Sequence, residues 1–134
     1  MSKKCYYAHP MLTYNSTIEE QDIETLEDLG FEVINPNRPD FQTGCQDYAR
    51  LNGRDKIMDF FKIEVLKCDL IAFRGQPCGE ILSGVGYEVQ AALDFNMPVI
   101  ELPANLKGRI QQYPETKQYL TEIGFYKVAV CTEQ

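Results

Sequence analysis

Asp69-Leu70-Ile71-Ala72-Phe73, followed after a turn-rich interval by Ser83-Gly84-Val85-Gly86-Tyr87-Glu88, is the stretch whose reading decides the fold. The first run is apolar without alternation, the pattern of a strand covered on both sides in a parallel sheet. Residues 74–83 are rich in Gly, Pro and polar side chains and read as a loop. Gly84 or Gly86 then opens a helix that runs to about residue 95. Beyond Pro98, Val99-Ile100-Glu101-Leu102 reads as the next strand.

The same alternation extends in both directions. Residues 5–8 read as a short buried strand ended by His9-Pro10. Ser16 with Glu19, or Thr17 with Glu20, can form a capping box. The helix so started carries Ile18, Ile23, Leu26 and Leu29 at roughly helical spacing and stops at Gly30. Residues 31–34 are a second strand, cut off by Asn35-Pro36-Asn37-Arg38-Pro39. Gly44, Asn52 and Gly53 break any period in residues 40–53, which read as a long loop with at most a short helical turn. Residues 54–67 read as a helix with Ile57, Phe60, Phe61, Val65 and Leu66 on its inner face. Residues 114–123 form a fourth helix stopped by Gly124, and residues 125–130 a fifth strand. The order β-α-β-α-β-α-β-α-β predicts an α/β fold over a single domain, 1–134. The economical arrangement is a flavodoxin-like five-stranded parallel sheet, order 2-1-3-4-5, with helices on both faces.

Composition narrows the function. A chain of 134 residues, 44% hydrophobic, suits one domain with its own core. Twenty acidic against 13 basic residues leave a net charge of −7. That charge opposes non-specific binding to nucleic acid or an anionic membrane, both of which need a positive surface. A small anionic ligand remains compatible with a local pocket. Cys5, Cys45, Cys68, Cys78 and Cys131 form no C-x-x-C pair and lie far from the sole histidine, His9, so no zinc site is expected. Their scatter suits a reducing cytoplasm. No long apolar stretch follows Lys3-Lys4, so neither a signal peptide nor a membrane span is expected there. The first loop lacks a Ser/Thr-rich phosphate segment of the flavin-binding kind, and no cofactor is expected.

In open parallel sheets, ligands bind beyond the carboxyl ends of the strands, at the switch point between strands 1 and 3. The rule nominates the loops 9–16, 74–88 and 103–109. Gly84 and Gly86 let backbone approach a ligand and offer free amides at a helix start. Glu88 then falls in the first helical turn, where the macrodipole favours a charged carboxylate. Such a carboxylate can attack or stabilise an oxocarbenium-like centre; it can also be an ordinary helix-start acid. His9 at the end of strand 1 can meet a phosphate or base, or be polar surface. Tyr7 and Tyr87 can stack a base or fill core and rim. Glu101 near the end of strand 4 can orient a site group or sit at the rim. Arg38, Arg50 and Arg54 flank the irregular stretch; one of them can meet a phosphate, with solvated surface the default. A nucleophilic role for Cys78 needs an activating base, and His9 is the only histidine available.

Three segments carry a resemblance: Cys68 to Phe73, Ser83-Gly84-Val85-Gly86-Tyr87-Glu88-Val89, and Ala91-Ala92-Leu93-Asp94-Phe95-Asn96-Met97-Pro98-Val99-Ile100. With Tyr7-Ala8-His9-Pro10-Met11 and Leu29-Gly30-Phe31-Glu32-Val33-Ile34-Asn35-Pro36, they resemble the nucleoside 2-deoxyribosyltransferase superfamily, which includes the 2'-deoxynucleoside 5'-monophosphate N-glycosidases. The similarity spans residues 5 to about 102. It implies a flavodoxin-like fold and a small-molecule nucleoside or nucleotide substrate. It also implies a homodimer or higher homo-oligomer in which a neighbouring subunit completes the site. By the resemblance Glu88 is the nucleophile that attacks C1' and displaces the base, passing the sugar to another base or to water. Tyr7, His9 and Met11 belong to the first strand and substrate loop. Ser83, Gly84 and Gly86 belong to the nucleophile's segment, and Asn105 follows strand 4, where a ribose or phosphate contact is placed. The family's aspartate that protonates the leaving base falls at Phe61 here, leaving Asp59 as the nameable acid and Glu64 beside it. The serine of phosphate-binding members falls at Leu82, with Ser83 next to it. The lost aspartate also fits a module that binds a nucleotide without cleaving it.

Overall fold

A computed structural model describes residues 2–103 and 112–124. The apolar run is strand β3 (Leu70–Arg74). It pairs in parallel with β1 (Lys4–Ala8) on one side and β4 (Val99–Leu102) on the other. β1 also pairs in parallel with β2 (Glu32–Ile34). The result is an all-parallel four-stranded sheet in the order β2-β1-β3-β4. Tyr6 stands opposite Ile71 and Ala8 opposite Phe73. The fifth strand expected at 125–130 lies outside the described residues, as does Cys131.

The chain divides into two compact units, Met1–Ala104 and Asn105–Gln134. The sheet belongs to the first. Of the second, a helix is described over Tyr113–Glu122. Along β1 and β3 successive side chains point to opposite faces, and both faces are buried. Tyr6, Ala8, Ile71 and Phe73 form one core with Phe41, Val65, Val85, Val89 and Ala92. Cys5, Tyr7, Leu70, Ala72 and Leu102 form the other with Leu26. Burial on both sides is why these strands read as continuous apolar runs. Leu26 comes from α1 (Thr17–Asp28), so helices cover both faces. Only half of the expected capping box forms at α1. Ser16 Oγ accepts the Glu19 N–H at 3.2 Å, while the Glu19 carboxylate turns away to other partners.

The largest departure from the sequence reading is at residues 40–53, which are not a loop. All but Gly53 lie in a helix, α2 (Pro39–Asn52). Pro39 presets the first helical φ, Asp40 complements the dipole, and Phe41, Cys45 and Ala49 bury a stripe at four-residue spacing. Gly53, at φ 108°, ends it. A short 3-10 turn, Arg54–Lys56, leads into α3 (Ile57–Leu66). Gly44 does not interrupt α2 because it sits where α2 meets α3. A Cβ on Gly44 would lie 2.9 Å from Phe60 Cζ. Gly44→Ala is therefore expected to lower stability by about 1 kcal/mol, since the forced movement of a packed ring outweighs the gain in helix propensity. Urea denaturation checks this, and a stabilised variant would refute it.

Another departure concerns α4 (Ser83–Asp94), which starts before both glycines. Leu82 is its extended N-cap, and Gly86 N donates to Leu82 O at 2.8 Å within the helix. Glu88 is thus the sixth helical residue and lies in the second turn, not the first. The remaining helix is α5 (Tyr113–Glu122), where the Glu115 carboxylate accepts from the Gln112 N–H at 3.2 Å. No helix among the described residues is long and apolar enough to cross a membrane.

Candidate active site

α4 buries Val85, Glu88, Val89 and Ala92 on one stripe against the sheet. Glu88 is therefore a carboxylate in a position that its neighbours fill with apolar side chains, and it is 6% exposed. Its Oε2 accepts a hydrogen bond from Tyr6 Oη, and Tyr6 is fully buried on β1. Burial pushes the Glu88 carboxyl up to about 7, and the hydrogen bond from Tyr6 opposes that rise. This overturns the expectation that the helix start keeps Glu88 ionised. The carboxylate is too far along the helix for the dipole to dominate, and desolvation wins. Burial and the Glu88 charge likewise drive the Tyr6 phenol well above its ordinary range.

Glu88 opens onto a cleft of about 420 Å³. Its walls come from the segments after β1 and β2 and from α2, α3 and α4. Pro10, Met11, Leu12, Pro36, Ile57, Met58, Phe61, Leu82 and Val85 make it mostly apolar. His9, Tyr14, Gln42, Gln46 and Arg54 supply the polar groups. Arg54 is its only cationic arginine or lysine among the described lining residues. Other hollows exist, one of about 540 Å³ along Gln46, Ala49, Arg50, Arg54 and Ile57, but no buried carboxylate lines it.

His9 is a wall of this cleft and 4% exposed. Its Nδ1 lies 3.0 Å from Tyr7 O, an acceptor, so Nδ1 carries a proton. Its Nε2 lies 2.7 Å from Glu19 Oε2. Burial disfavours the Glu19 charge, but hydrogen bonds from His9, Asn37 and the Asn15 N–H prevail and hold the carboxyl below its ordinary range. The His9 ring stacks on Tyr7 at 3.8 Å between centroids.

The structure brings some of the sequence-nominated residues together and not others. Glu88, His9, Met11 and Gly84 share the cleft. Tyr7 does not: it faces the opposite side of the sheet, fully buried, with its hydroxyl donating to Asp22 at 2.6 Å. Asp59 does not either. It accepts from the exposed Tyr87 hydroxyl at 2.7 Å, between α3 and α4, and is not among the lining residues. Ser83 is exposed at the helix start and Gly86 lies within the helix, both off the lining. Asn105 lies outside the described residues. Phe61 and Leu82 do line the cleft. Arg38 and Arg50 are exposed and paired with Asp40 and Asp47.

Tyr6 is the residue that sequence reasoning missed. Its signal was the period of two along β1, which puts Tyr6 and Tyr7 on opposite faces. Tyr6→Phe removes the donor that restrains the Glu88 carboxyl. The Glu88 titration midpoint is expected to move up by roughly one pH unit, for a hydrogen bond of about 1.4 kcal/mol. Carboxyl-carbon NMR of labelled glutamate checks it, and an unmoved midpoint would contradict the role given to Tyr6.

Chemically, a single buried carboxyl that titrates near neutrality can work as a nucleophile when ionised. No other carboxylate lines the cleft among the described residues, so a paired-carboxylate hydrolase is not assembled by them. Among the described residues there is also no group of three His, Cys, Asp or Glu side chains able to hold a metal ion. No protein-family model matches the chain, and no curated protein matches it.

Proposed function

We propose that the protein cleaves or transfers the N-glycosidic bond of a (deoxy)nucleoside or nucleoside 5'-monophosphate, with Glu88 as nucleophile. The observation that carries this is the Glu88 carboxyl, buried at the cleft and bound through one oxygen by Tyr6. With Oε2 occupied, Oε1 is the oxygen left to attack C1' as the base departs. The glycosyl ester so formed passes to water or to a second base. The resemblance to nucleoside 2-deoxyribosyltransferases supports the same role. It also supports completion of the sheet as a flavodoxin-like five-stranded 2-1-3-4-5 array and assembly into a homodimer or higher homo-oligomer. The free Cys5, Cys45, Cys68 and Cys78 fit a cytoplasmic location.

The test is incubation with nucleosides, deoxynucleosides and their 5'-monophosphates, reading base release or base exchange by chromatography. Release that requires Glu88 supports the proposal. Full activity in Glu88→Gln would remove the nucleophile assignment.

One observation favours a second reading, a module that binds a nucleotide without cleaving it. Asp59 is held by Tyr87 off the cleft, and Phe61 occupies the wall. Calorimetric binding of a nucleotide with no turnover would decide for that reading.

A further inference from the structure

We propose that the cleft is built for N-glycosides whose leaving heterocycle already carries its positive charge on the glycosidic nitrogen, as a pyridinium N-riboside does. This rests on the reading of Glu88 as nucleophile and adds to it the class of leaving group.

A neutral purine or pyrimidine departs as an anion unless a proton reaches it, and an apolar cleft makes the anion costlier. The described lining residues offer no good source of that proton. Glu88 is committed to C1'. Both His9 nitrogens are engaged, at 3.0 Å by Tyr7 O and at 2.7 Å by Glu19. Tyr14 is a weaker acid than an ordinary phenol, because burial and then the Glu88 and Glu19 charges push it up to about 12. Burial also raises the Cys45 thiol. The Arg54 guanidinium does not give up a proton, and amides such as Gln42 and Gln46 donate hydrogen bonds but not protons. The wall position of Phe61 holds an aromatic ring.

A ring with a quaternary glycosidic nitrogen removes the need for an acid. The Glu88 carboxylate forms a bond to C1', the C1'–N bond breaks, and its electron pair neutralises the ring nitrogen. The heterocycle leaves as a neutral molecule. Water then attacks C1' of the glycosyl ester, freeing the Glu88 carboxylate and releasing the sugar and a proton. The cation fits the same walls. Its charge faces the one carboxylate, and its flat face can lie on Phe61, where a cation–π contact forms. Gln42 and Gln46, one turn apart on α2, have no hydrogen-bond partner for their side chains among the described residues. They can bind an amide substituent on the ring.

The experiment compares the 3-carbamoylpyridinium riboside and 2'-deoxyriboside with the adenine and cytosine nucleosides of the same sugars. An enzyme that supplies a proton compresses the intrinsic difference between these leaving groups, and one that supplies none preserves it. The expected kcat/KM advantage of the pyridinium substrates is at least about 100-fold, the usual contribution of a general acid. Phe61→Asp is expected to raise cleavage of the neutral nucleosides by about tenfold or more, by installing an acid in the wall. A pyridinium advantage below 100-fold in the wild type overturns the proposal, while base release from neutral nucleosides leaves the role of Glu88 intact. Cleavage of neither class overturns both. The wild-type ratio decides even if the Phe61 variant does not fold.

Discussion

Glu88→Gln is expected to abolish base release and, at the same time, to make the folded protein more stable at alkaline pH. The two effects have one cause. The Glu88 carboxyl titrates at about 7 in the fold against 4.5 when free, because burial penalises its charge. A raised folded pKa contributes stability that is fully present below about 4.5 and is lost as the pH rises through about 7. The loss by pH 8.5 is about 3 kcal/mol. Glutamine keeps an oxygen for Tyr6 and has no charge to bury. The variant should therefore match the wild type near pH 4 and exceed it by about 3 kcal/mol at pH 8.5, a rise in Tm of roughly 10 °C. On the proposed reading of Glu88 as nucleophile, its loss should lower kcat by at least about 1,000-fold. Thermal melts at the two pH values, run beside the base-release assay, measure both. Wild-type and variant melting curves separated equally at both pH values would show that Glu88 carries no buried charge.

Asp22→Ala is expected to be the most damaging change away from the cleft. Asp22 is 3% exposed on α1. It accepts from Arg74 Nε at 3.0 Å and Nη2 at 2.5 Å, and from Tyr7 Oη at 2.6 Å. The hydrogen bonds and charge of Asp22 raise the Arg74 guanidinium further above its ordinary value. Truncation leaves a mostly buried cation and a phenol without their acceptor, at a cost of about 3 kcal/mol or more. Asp22→Asn keeps one acceptor and should lose about half as much. The damage reaches the cleft as well, because Tyr7 carries the His9 ring on its face. Urea denaturation of the two variants measures the effect. An Asp22→Ala protein within about 1 kcal/mol of wild type would mean that Arg74 finds water instead.

Much of the fold was legible because its signals are local. The unbroken apolar runs at Tyr6 to Ala8 and Leu70 to Phe73, the Ser16 cap and the stops at Gly30 and Gly124 each follow from the backbone and its near neighbours. Parallel pairing follows from the alternation of strand and helix, since a parallel partner needs a crossover. Helix α2 was illegible for a related reason. Its buried stripe is only Phe41, Cys45 and Ala49, set among polar residues, and Gly44 reads as a breaker until Phe60 is seen against it.

The site divides along the same line. The sequence by itself determined that Glu88 follows β3 on the next helix, under the switch point, and that residues 61 and 82 carry no acid or hydroxyl. Only the tertiary structure decided that Glu88 is buried, and that Tyr6 rather than Tyr7 holds it across a separation of 82 residues. A period of two separates the two tyrosines, but which face α4 covers depends on how the crossovers wrap the sheet. Desolvation, too, is a property of the packed surroundings. The ionised helix-start acid expected from residues 83–88 thus becomes, once Val85, Val89 and Ala92 close around it, a carboxyl that titrates near neutrality.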